Sequence, residues 1–242
     1  MTDIYQIAGI GMFEGQRRLE AISRNSANAA SPGYRRNVAV GLAFDLLGNR
    51  QSAAGQVDPA RPMTVSAFAA NTRPGAMMST GRPLDVAIDA DDQYFGLTDG
   101  NLTWLTRAGS FRVNSDGILV GADGLRVVGT QGDIHLPGGD IKVSADGQLL
   151  SKGEVVASLR LFQVDANVEL QAGPGVLLKP TTAASPAKAP HVRGGMLESS
   201  NTDSTREMID AITVSRQFES LSRVIQGYDD ALGQALQKLG SF

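Results

Sequence analysis

Residues 201–239 read NTDSTREMIDAITVSRQFESLSRVIQGYDDALGQALQKL, and this stretch decides how the chain is organised. Its apolar residues recur at alternating steps of three and four, the spacing of one narrow stripe along a long helix. The stripe consists of Ala211, Val214, Phe218, Leu221, Ile225, Tyr228, Leu232, Ala235 and Leu239. A helix from Ser204 to Leu239 would be roughly 50 Å long. Such a helix needs a partner along its length, either the core of its own chain or other helices in an assembly.

A second, weaker amphipathic helix is predicted over residues 2–30. The same spacing of three and four joins Tyr5, Ala8, Met12, Gly15, Leu19, Ile22, Ser26 and Ala29. Glycines at positions 9, 11 and 15 each lower helix stability by about 1 kcal/mol relative to alanine. The sequence Ser31-Pro32-Gly33 then ends the helix, because proline cannot continue it. Each end of the chain therefore carries a helix that is weak alone.

The middle of the chain has the period-two alternation of β-strands, beginning at Arg82. Alternation is clear at 84–88 and 102–105 and continues to residue 164. Asp-Gly pairs at 99–100, 116–117, 123–124 and 146–147 each predict a hairpin turn. This pattern indicates an antiparallel β domain of many short strands, closed as a sandwich or a barrel.

The predicted fold class is α+β, with the β domain inserted between two long terminal helices that pack in the manner of a coiled coil in an assembly. The predicted domains are an N-terminal assembly helix (1–34), an extended connector (35–80), the β domain (81–190) and a C-terminal assembly helix (191–242). The connector is rich in Ala, Gly, Pro and Ser and shows little periodicity. Residues 173–190, with four prolines, lead from the β domain towards the last helix.

Composition excludes several classes of function. The 242 residues are 42% hydrophobic, enough for a substantial core, and the net charge of −3 offers no electrostatic attraction to nucleic acid. The absence of cysteine excludes disulfides and thiolate chemistry. No apolar run approaches the ~20 residues of a membrane span, so direct membrane insertion is not expected. A cleaved signal peptide is not expected either, because Glu14, Arg17 and Arg18 interrupt the N-terminal region.

Catalytic and metal-binding patterns are missing from the sequence. His135 and His191 each lack a second ligand at metal spacing. The acidic cluster Asp89, Asp91 and Asp92 lacks the glycine and terminal glutamate of an EF-hand loop and is interpreted as a solvated turn. We therefore predict a protein that is not an enzyme and that needs no cofactor or metal. Trp104 and Phe111 are expected to pack in the β core.

Three motifs give the chain a resemblance to a known family. The N-terminal motif is Asn25-Ser-Ala-Asn28-Ala-Ala-Ser31-Pro-Gly33-Tyr34-Arg35, with serines at 26 and 31 where the family usually has Leu and Thr. The C-terminal motif is Gly195-Met-Leu197-Glu-Ser-Ser-Asn201, followed by Thr202 in place of Val. The middle carries RPLDVAI at 82–88 and TRAGSF at 106–111. In this order the motifs resemble those of the bacterial flagellar axial proteins of the rod and hook.

The resemblance implies a structural subunit of the flagellar basal body. It implies export by the flagellar type III apparatus without a cleaved signal peptide, and assembly with its own copies and other axial proteins into a hollow rod across the periplasm that transmits motor torque. Arg73-Pro-Gly-Ala-Met77 followed by Arg82-Pro-Leu-Asp85 is most similar to the proximal-rod branch of the family. The distal-rod branch is the alternative within the family.

The predicted assembly interface combines the helical stripes with the terminal motifs. Its residues are Leu19, Ile22, Asn25, Asn28, Gly33, Tyr34, Leu197, Asn201, Ala211, Val214, Phe218, Leu221, Ile225, Tyr228, Leu232 and Leu239. Two other hypotheses stay open at the level of sequence. One is a non-flagellar fibre or binding module whose β domain holds a ligand, and the other is a hydrolase that uses carboxylates in turns.

Overall fold

The computed structural model describes residues 3–39, 68–139, 141–165 and 168–239. These residues form two compact units. The helical unit contains residues 3–26, residue 39 and residues 204–239, and the β unit contains residues 27–38 and the described part of 68–203. The part of the predicted connector from residue 40 to residue 67 lies outside the described residues. So does Gly240, where the sequence predicts a glycine stop after the last helix. The boundaries between the four predicted domains stay a prediction.

Two long helices make up the described part of the helical unit. The helix α1 spans Asp3–Ala27, and α2 spans Ser204–Leu239. The predicted bounds of α2 are confirmed, whereas α1 ends three residues before the predicted Ala30, because turns precede Pro32. Within the described residues, neither helix has a segment that is both apolar enough and long enough to cross a bilayer.

The described part of the β unit contains nineteen short strands. In chain order they are β1 (Asn37–Val38), β2 (Ala69–Ala70), β3 (Met77–Ser79), β4 (Val86–Ile88), β5 (Gln93–Thr98), β6 (Thr103–Thr106), β7 (Arg112–Val113), β8 (Leu119–Val120), β9 (Arg126–Gly129), β10 (Gly132–Asp133), β11 (Ile141–Val143), β12 (Gln148–Ser151), β13 (Glu154–Ser158), β14 (Leu161–Gln163), β15 (Leu170–Ala172), β16 (Leu178–Pro180), β17 (Ser185–Pro186), β18 (Val192–Gly194) and β19 (Met196–Glu198). The α+β class is therefore confirmed.

The strands pair antiparallel in one large sheet and three small ones. The large sheet has the order β1-β2-β15-β16-β6-β5-β9-β8-β7, with β10 added on β9, β14 on β5, and β17 on β14. The small sheets are β11-β12-β13, β18-β4 and β19-β3. The last two join strands that are far apart in sequence, so the segment before α2 is held against the beginning of the β domain. Closure as a sandwich or a barrel stays a prediction.

The core of the β unit lies around the central strand β5. Phe95 and Leu97 of β5 are buried with Phe111, and the rings of Phe95 and Phe111 meet edge to face at 5.0 Å between centroids. Trp104 is partly buried against the same cluster, so the core positions predicted for Phe111 and Trp104 are confirmed. All four Asp-Gly turns have the predicted glycine with a positive φ angle.

Three details of the strand prediction differ from the structure. Strand β5, Gln93–Thr98, is buried on both faces and therefore lacks the alternation by which strands were recognised. The alternation predicted to continue to residue 164 includes residues 134–136, which form only a single bridge, between His135 and Ile118. The proline-rich exit 173–190 contains β16 and β17, whose prolines lie at strand ends, where a missing donor is tolerated.

Candidate functional site

The first candidate site is the contact between α1 and α2 within the helical unit. Four residues of α2, each seven positions from the next, face α1: Glu207, Val214, Leu221 and Tyr228. Their partners on α1 come in the reverse order: Asn25, Gly15, Gly11 and Tyr5. The helices are therefore antiparallel, and the stripe predicted on α2 finds part of its partner in α1 of the same chain.

Glycines on α1 let the two helices approach closely. A Cβ atom placed on Gly11 would lie 3.0 Å from Leu221 Cδ1, whereas one on Gly15 would lie 3.7 Å from Val214 Cγ1. An open groove of about 620 Å³ runs beside this contact, and Phe218 lines it. The glycines that weaken α1 as an isolated helix thus make room for the side chains of α2.

Polar contacts lie at both ends of the surface that α1 and α2 share. Asn25 Nδ2 donates to Glu207 Oε2 at 3.1 Å, and both residues are fully buried. At the other end, the Tyr5 ring packs edge to face on Tyr228 at 5.5 Å, and its hydroxyl donates to Asp229. The hydrogen bond to Asp229 raises the pKa of Tyr5 above its ordinary value. Such directional contacts fix the register of the two helices better than apolar contacts alone.

The second candidate site is a buried charged junction in the β unit, centred on Arg107. The Arg107 guanidinium donates to Glu198 Oε2 at 2.8 Å. It also donates to three carbonyl oxygens, those of Ile88 at the end of β4 (3.1 Å), Ala90 in the following turn (2.6 Å) and Gln93 at the start of β5 (2.6 Å). A fully buried arginine is stable only when its donors are used in this way. Arg107 therefore clamps the middle of the β unit to β19.

Glu198 holds three parts of the chain together. Its Oε2 accepts from Arg107, and its Oε1 accepts from Arg35 at 2.7 Å and from the backbone N–H of Gly75 at 2.8 Å. The carboxylate is fully buried, so it depends on these donors for all of its stabilisation. One glutamate thus balances two arginines, and the junction keeps one surplus positive charge.

Arg35 is less well satisfied than Arg107. Its Nη1 donates to Glu198 and to the Arg73 carbonyl at 2.5 Å, but Nε and Nη2 find no hydrogen-bond partner among the described residues. Burial lowers the pKa of Arg35 below its ordinary value; the Glu198 carboxylate opposes this lowering, and the Arg107 guanidinium adds to it. The surplus charge of the junction therefore rests on Arg35.

Gly33 brings the N-terminal motif against the TRAGSF motif. Its φ angle is +68°, and a Cβ atom there would lie 2.2 Å from both Ala108 N and Arg107 C. Its N–H donates to the Glu198 carbonyl at 2.8 Å. The motif requires glycine at this position for two reasons: glycine adopts a positive φ angle without strain, and it has no Cβ atom to collide with the backbone of residues 107 and 108.

Asn201 completes the junction on the C-terminal side. Its Oδ1 accepts from the backbone N–H of Arg36 at 2.7 Å, and its Nδ2 donates to the carbonyls of Asn71 at 3.1 Å and Arg73 at 2.7 Å. Its own N–H donates to the Tyr34 carbonyl at 3.3 Å. The Asn201 side chain therefore bridges the backbone of Arg36 and the backbone of residues 71–73 by hydrogen bonds.

The motifs that are separate in sequence thus meet at one place in the β unit. Arg35 comes from the first motif, Arg107 from the middle, and Glu198 with Asn201 from the last. Their charged groups are buried and engaged with one another, which suits mechanical connection rather than acid–base chemistry. Among the described residues, no three His, Asp or Glu side chains are arranged to hold a metal ion.

The predicted interface residues fall into three groups. Buried residues are Ile22 and Asn25 of α1, Gly33, Tyr34, Leu197 of β19, and Val214 of α2. Half-buried residues are Leu19, Asn28, Asn201, Ala211, Leu221, Ile225, Tyr228 and Leu232, whereas Phe218 is 38% exposed. The side chain of Leu239 lies outside the described residues. The helical stripe and the terminal motifs therefore occupy two separate sites, one in each unit.

Sequence reasoning missed the charged residues of the junction as site residues. Arg35, Arg107 and Glu198 stand inside the quoted motifs, but charged residues are usually expected at the surface. The available signal was that Arg35 and Glu198 each follow a predicted interface residue, Tyr34 and Leu197 respectively, whereas Arg107 carried no such signal. Pairing them requires the tertiary fold, because 91 positions separate Arg107 from Glu198.

Comparison with known proteins assigns the family. A family model described as "Flagellar basal body rod FlgEFG protein C-terminal" matches residues 193–238, and one described as "Flagellar hook protein FlgE/F/G D1 domain" matches residues 87–151. The flagellar basal-body rod protein FlgF of Escherichia coli is 31% identical over 233 residues, covering 89% of each chain. The rod protein FlgG of Agrobacterium fabrum is 32% identical, covering 93% of this chain and 94% of its own.

The helix pair and the motif junction are therefore features of a flagellar axial subunit, and the chain belongs to the flagellar basal-body rod protein family. It is FlgF-like. Among its relatives, the FlgF of Mesorhizobium japonicum is 27% identical and covers 100% of this chain and 99% of its own.

Proposed function

We propose that this protein is a structural subunit of the proximal rod of the flagellar basal body. Its copies polymerise through the terminal helices into a hollow shaft that transmits motor torque, with α1 and α2 packed in the manner of a coiled coil. The family assignment supports this role, and so does the junction, which holds residues 33–38 against the segment of β19 and Asn201 within the β unit. The subunit acts mechanically and has no catalytic role in this proposal.

The observation that carries the proposal is the apolar surface that the α1–α2 contact leaves exposed. On α2, Met208, Ile209 and Ile212 are 66%, 59% and 49% exposed. On α1, Ile7 and Phe13 are 58% and 50% exposed. Contiguous apolar side chains on a surface mark interaction sites. The rest of the α2 stripe, including Phe218, Ile225 and Leu232, is the proposed continuation of this interface between copies.

The proposed partners are further copies of this chain and other rod and axial proteins. We infer export by the flagellar type III apparatus without a cleaved signal peptide, followed by assembly in the periplasm. The absence of cysteine is compatible with passage into an oxidising compartment. Antiparallel pairing of α1 and α2 within one chain leaves the other faces of both helices for neighbours, so the contacts between copies can be heterologous and extend without closing.

Replacement of exposed apolar residues on α2 tests the proposed assembly. The double variant Met208→Lys, Ile212→Lys leaves the four residues that face α1 unchanged. Each apolar side chain that is no longer buried between copies removes about 1.5–3 kcal/mol, so we expect incorporation into rods to fall at least about a hundredfold. The matched control is Ser215→Lys, an exposed position on the same helix that should incorporate normally.

The assay uses the full chain in its own bacterium after deletion of the chromosomal copy, with isolated basal bodies probed for the subunit and motility scored on soft agar. Helical ellipticity and Trp104 fluorescence verify that the variant subunits are folded. Normal rods that contain the double variant would refute the proposed interface. Loss of incorporation with the Ser215→Lys control as well would show a general intolerance of α2 to charge rather than an apolar interface.

The distal rod is the second candidate, because the FlgG of Agrobacterium fabrum is as similar in sequence as the FlgF of Escherichia coli. The position of the subunit along isolated rods separates the two candidates. We expect this chain, expressed in its own bacterium, to restore rods to a strain that lacks its own gene but retains the other rod genes, and the isolated rods should contain it next to the inner-membrane ring. Labelling along the outer part of the rod would assign the distal position instead.

A further inference from the structure

The chain segment that follows α1 lies across the buried junction as a strap, defined here as residues 33–38. The Gly33 N–H donates to the Glu198 carbonyl, the Arg36 N–H donates to Asn201 Oδ1, and β1 at its end pairs with β2 through only two residues on each side. The Tyr34 ring is buried beneath it. The Asn201 N–H also donates to the Tyr34 carbonyl, the Asn71 N–H donates to the Arg36 carbonyl, and Arg35 Nη1 donates to the Arg73 carbonyl. The strap is therefore attached by backbone and side-chain hydrogen bonds, one aromatic side chain and the ion pair of Arg35 with Glu198.

Electrostatics inside the junction do not favour a closed strap. While it is closed, two buried arginines share one carboxylate, and two nitrogens of Arg35 have no hydrogen-bond partner among the described residues. Burying a charge whose donors are unused costs free energy, and removing the surplus cation from the interior recovers it.

The Arg107 and Glu198 side chains stay paired after the strap leaves. Glu198 keeps the Arg107 Nε on one oxygen and the Gly75 N–H on the other. Arg107 keeps its three carbonyl acceptors. Departure of the strap thus turns a buried cluster with a surplus charge into a neutral, hydrogen-bonded pair, and Arg35 gains water.

We propose that residues 33–38 form a releasable strap, which opens as a unit while the rest of the β unit stays folded. The Tyr34 ring and the backbone hydrogen bonds stabilise the closed strap, and the surplus charge of Arg35 destabilises it. Arg35 therefore sets how readily the strap opens. In the open state β19 keeps its pairing with β3. The device is a property of the single subunit and is independent of the proposed polymerisation.

Native-state hydrogen exchange on the wild-type chain tests the opening directly. The probes are the Gly33 and Arg36 amides, and the reference is the Leu119 amide, which donates to the Ile134 carbonyl inside the β unit. We expect the strap amides to exchange at least about tenfold faster than Leu119, with rates that depend little on low denaturant, as local opening does. Equal rates with the same denaturant dependence would show that the strap opens only when the whole unit unfolds, and would overturn the proposal.

The variant Arg35→Met tests the role of the charge. In this variant the Glu198 carboxylate keeps the Arg107 Nε and the Gly75 N–H, so it is not left unpaired. The cost of burying the poorly satisfied Arg35 cation is removed, so exchange of the Gly33 and Arg36 amides should slow about tenfold or more. Unchanged exchange, faster exchange or failure to fold would each overturn the role assigned to Arg35. The wild-type exchange pattern does not depend on this variant.

The matched control is Arg107→Met, which removes the other cation of the same carboxylate. It leaves three buried carbonyls without their donor, so the β unit as a whole should unfold at lower denaturant, as followed by Trp104 fluorescence. Equivalent behaviour of the two methionine variants would overturn the proposal, because it requires the arginines to act in opposite directions.

Discussion

Substitution of Gly33 by alanine should destabilise the β unit far more than the same change at Gly81, although the two glycines have nearly the same backbone conformation. Their φ angles are +68° and +67°. A left-handed conformation costs an alanine about 1–2 kcal/mol. Reduced freedom of the unfolded chain returns about 0.4–1 kcal/mol in either variant. At Gly81 nothing lies within 4 Å of the added Cβ, so Gly81→Ala should cost about 1 kcal/mol or less.

At Gly33 the added Cβ meets backbone that cannot rotate away. It would lie 2.2 Å from Ala108 N and Arg107 C, whereas an ordinary van der Waals contact of a Cβ atom is 3.4–4 Å. The strap must therefore move outward to accommodate the alanine. That movement breaks the hydrogen bond to the Glu198 carbonyl, worth about 0.5–1.5 kcal/mol. It also exposes part of the Tyr34 ring, whose burial contributes about 1.5–3 kcal/mol. The expected total cost of Gly33→Ala is about 3–5 kcal/mol.

Thermal unfolding followed by Trp104 fluorescence measures this difference, because the single tryptophan of the chain lies in the β unit. The gap of about 3 kcal/mol between the variants corresponds to about 6–12 °C in Tm for a chain of this size. If only the strap opens in Gly33→Ala, the Tm falls less, but the Arg36 amide then exchanges as in an unfolded peptide. Equal Tm values together with a protected Arg36 amide would refute the reasoning that backbone contact at Gly33 is decisive.

Two further predictions concern the helical unit. Gly9→Ala, with nothing within 4 Å of the added Cβ, should stabilise α1 by about 0.5–1 kcal/mol. Gly11→Ala should stabilise α1 less, because its added Cβ would lie 3.0 Å from Leu221 Cδ1. The loss of helical ellipticity on heating compares the stability of the two variants. Hydrogen bonding to Asp229 raises the pKa of Tyr5, so this contact is fully present below the ordinary tyrosine pKa of about 10 and is lost as pH rises through the raised value. Burial also raises the pKa of Tyr94, so a spectroscopic titration should show two late-ionising tyrosines, of which Tyr5→Phe removes one. An unchanged titration in that variant would contradict the assignment.

The helices and most strands could be predicted because their patterns are local. The spacing in α2 gave its bounds, and the four Asp-Gly pairs gave turns that the structure contains. Strand β5 escaped prediction because a strand buried on both faces has no alternation. The partner of the α2 stripe could be proposed only in outline, since a stripe shows that a helix packs but does not say against which surface.

The candidate sites also have a part that the sequence predicts and a part that only the tertiary structure shows. Val214, Leu221 and Tyr228 were predicted as contact residues, and their spacing of seven follows from helical geometry alone. That Gly11 and Gly15 provide room for them depends on the antiparallel register with α1. The assignment of these residues to contacts between copies stays a prediction, since the helices also contact one another within the chain.

Sequence alone determined that this protein has a helix at each end, an antiparallel β domain between them and motifs of the flagellar axial family, because periodicity and turn residues act over a few positions. Tertiary structure alone decided that the three motifs meet, that Arg35 and Arg107 share Glu198, and that they are unequal in their hydrogen bonds. The physical reason is that burial and pairing of a charge depend on residues far away in the chain. The residues next to a charged side chain in the sequence do not indicate which distant residue it will pair with.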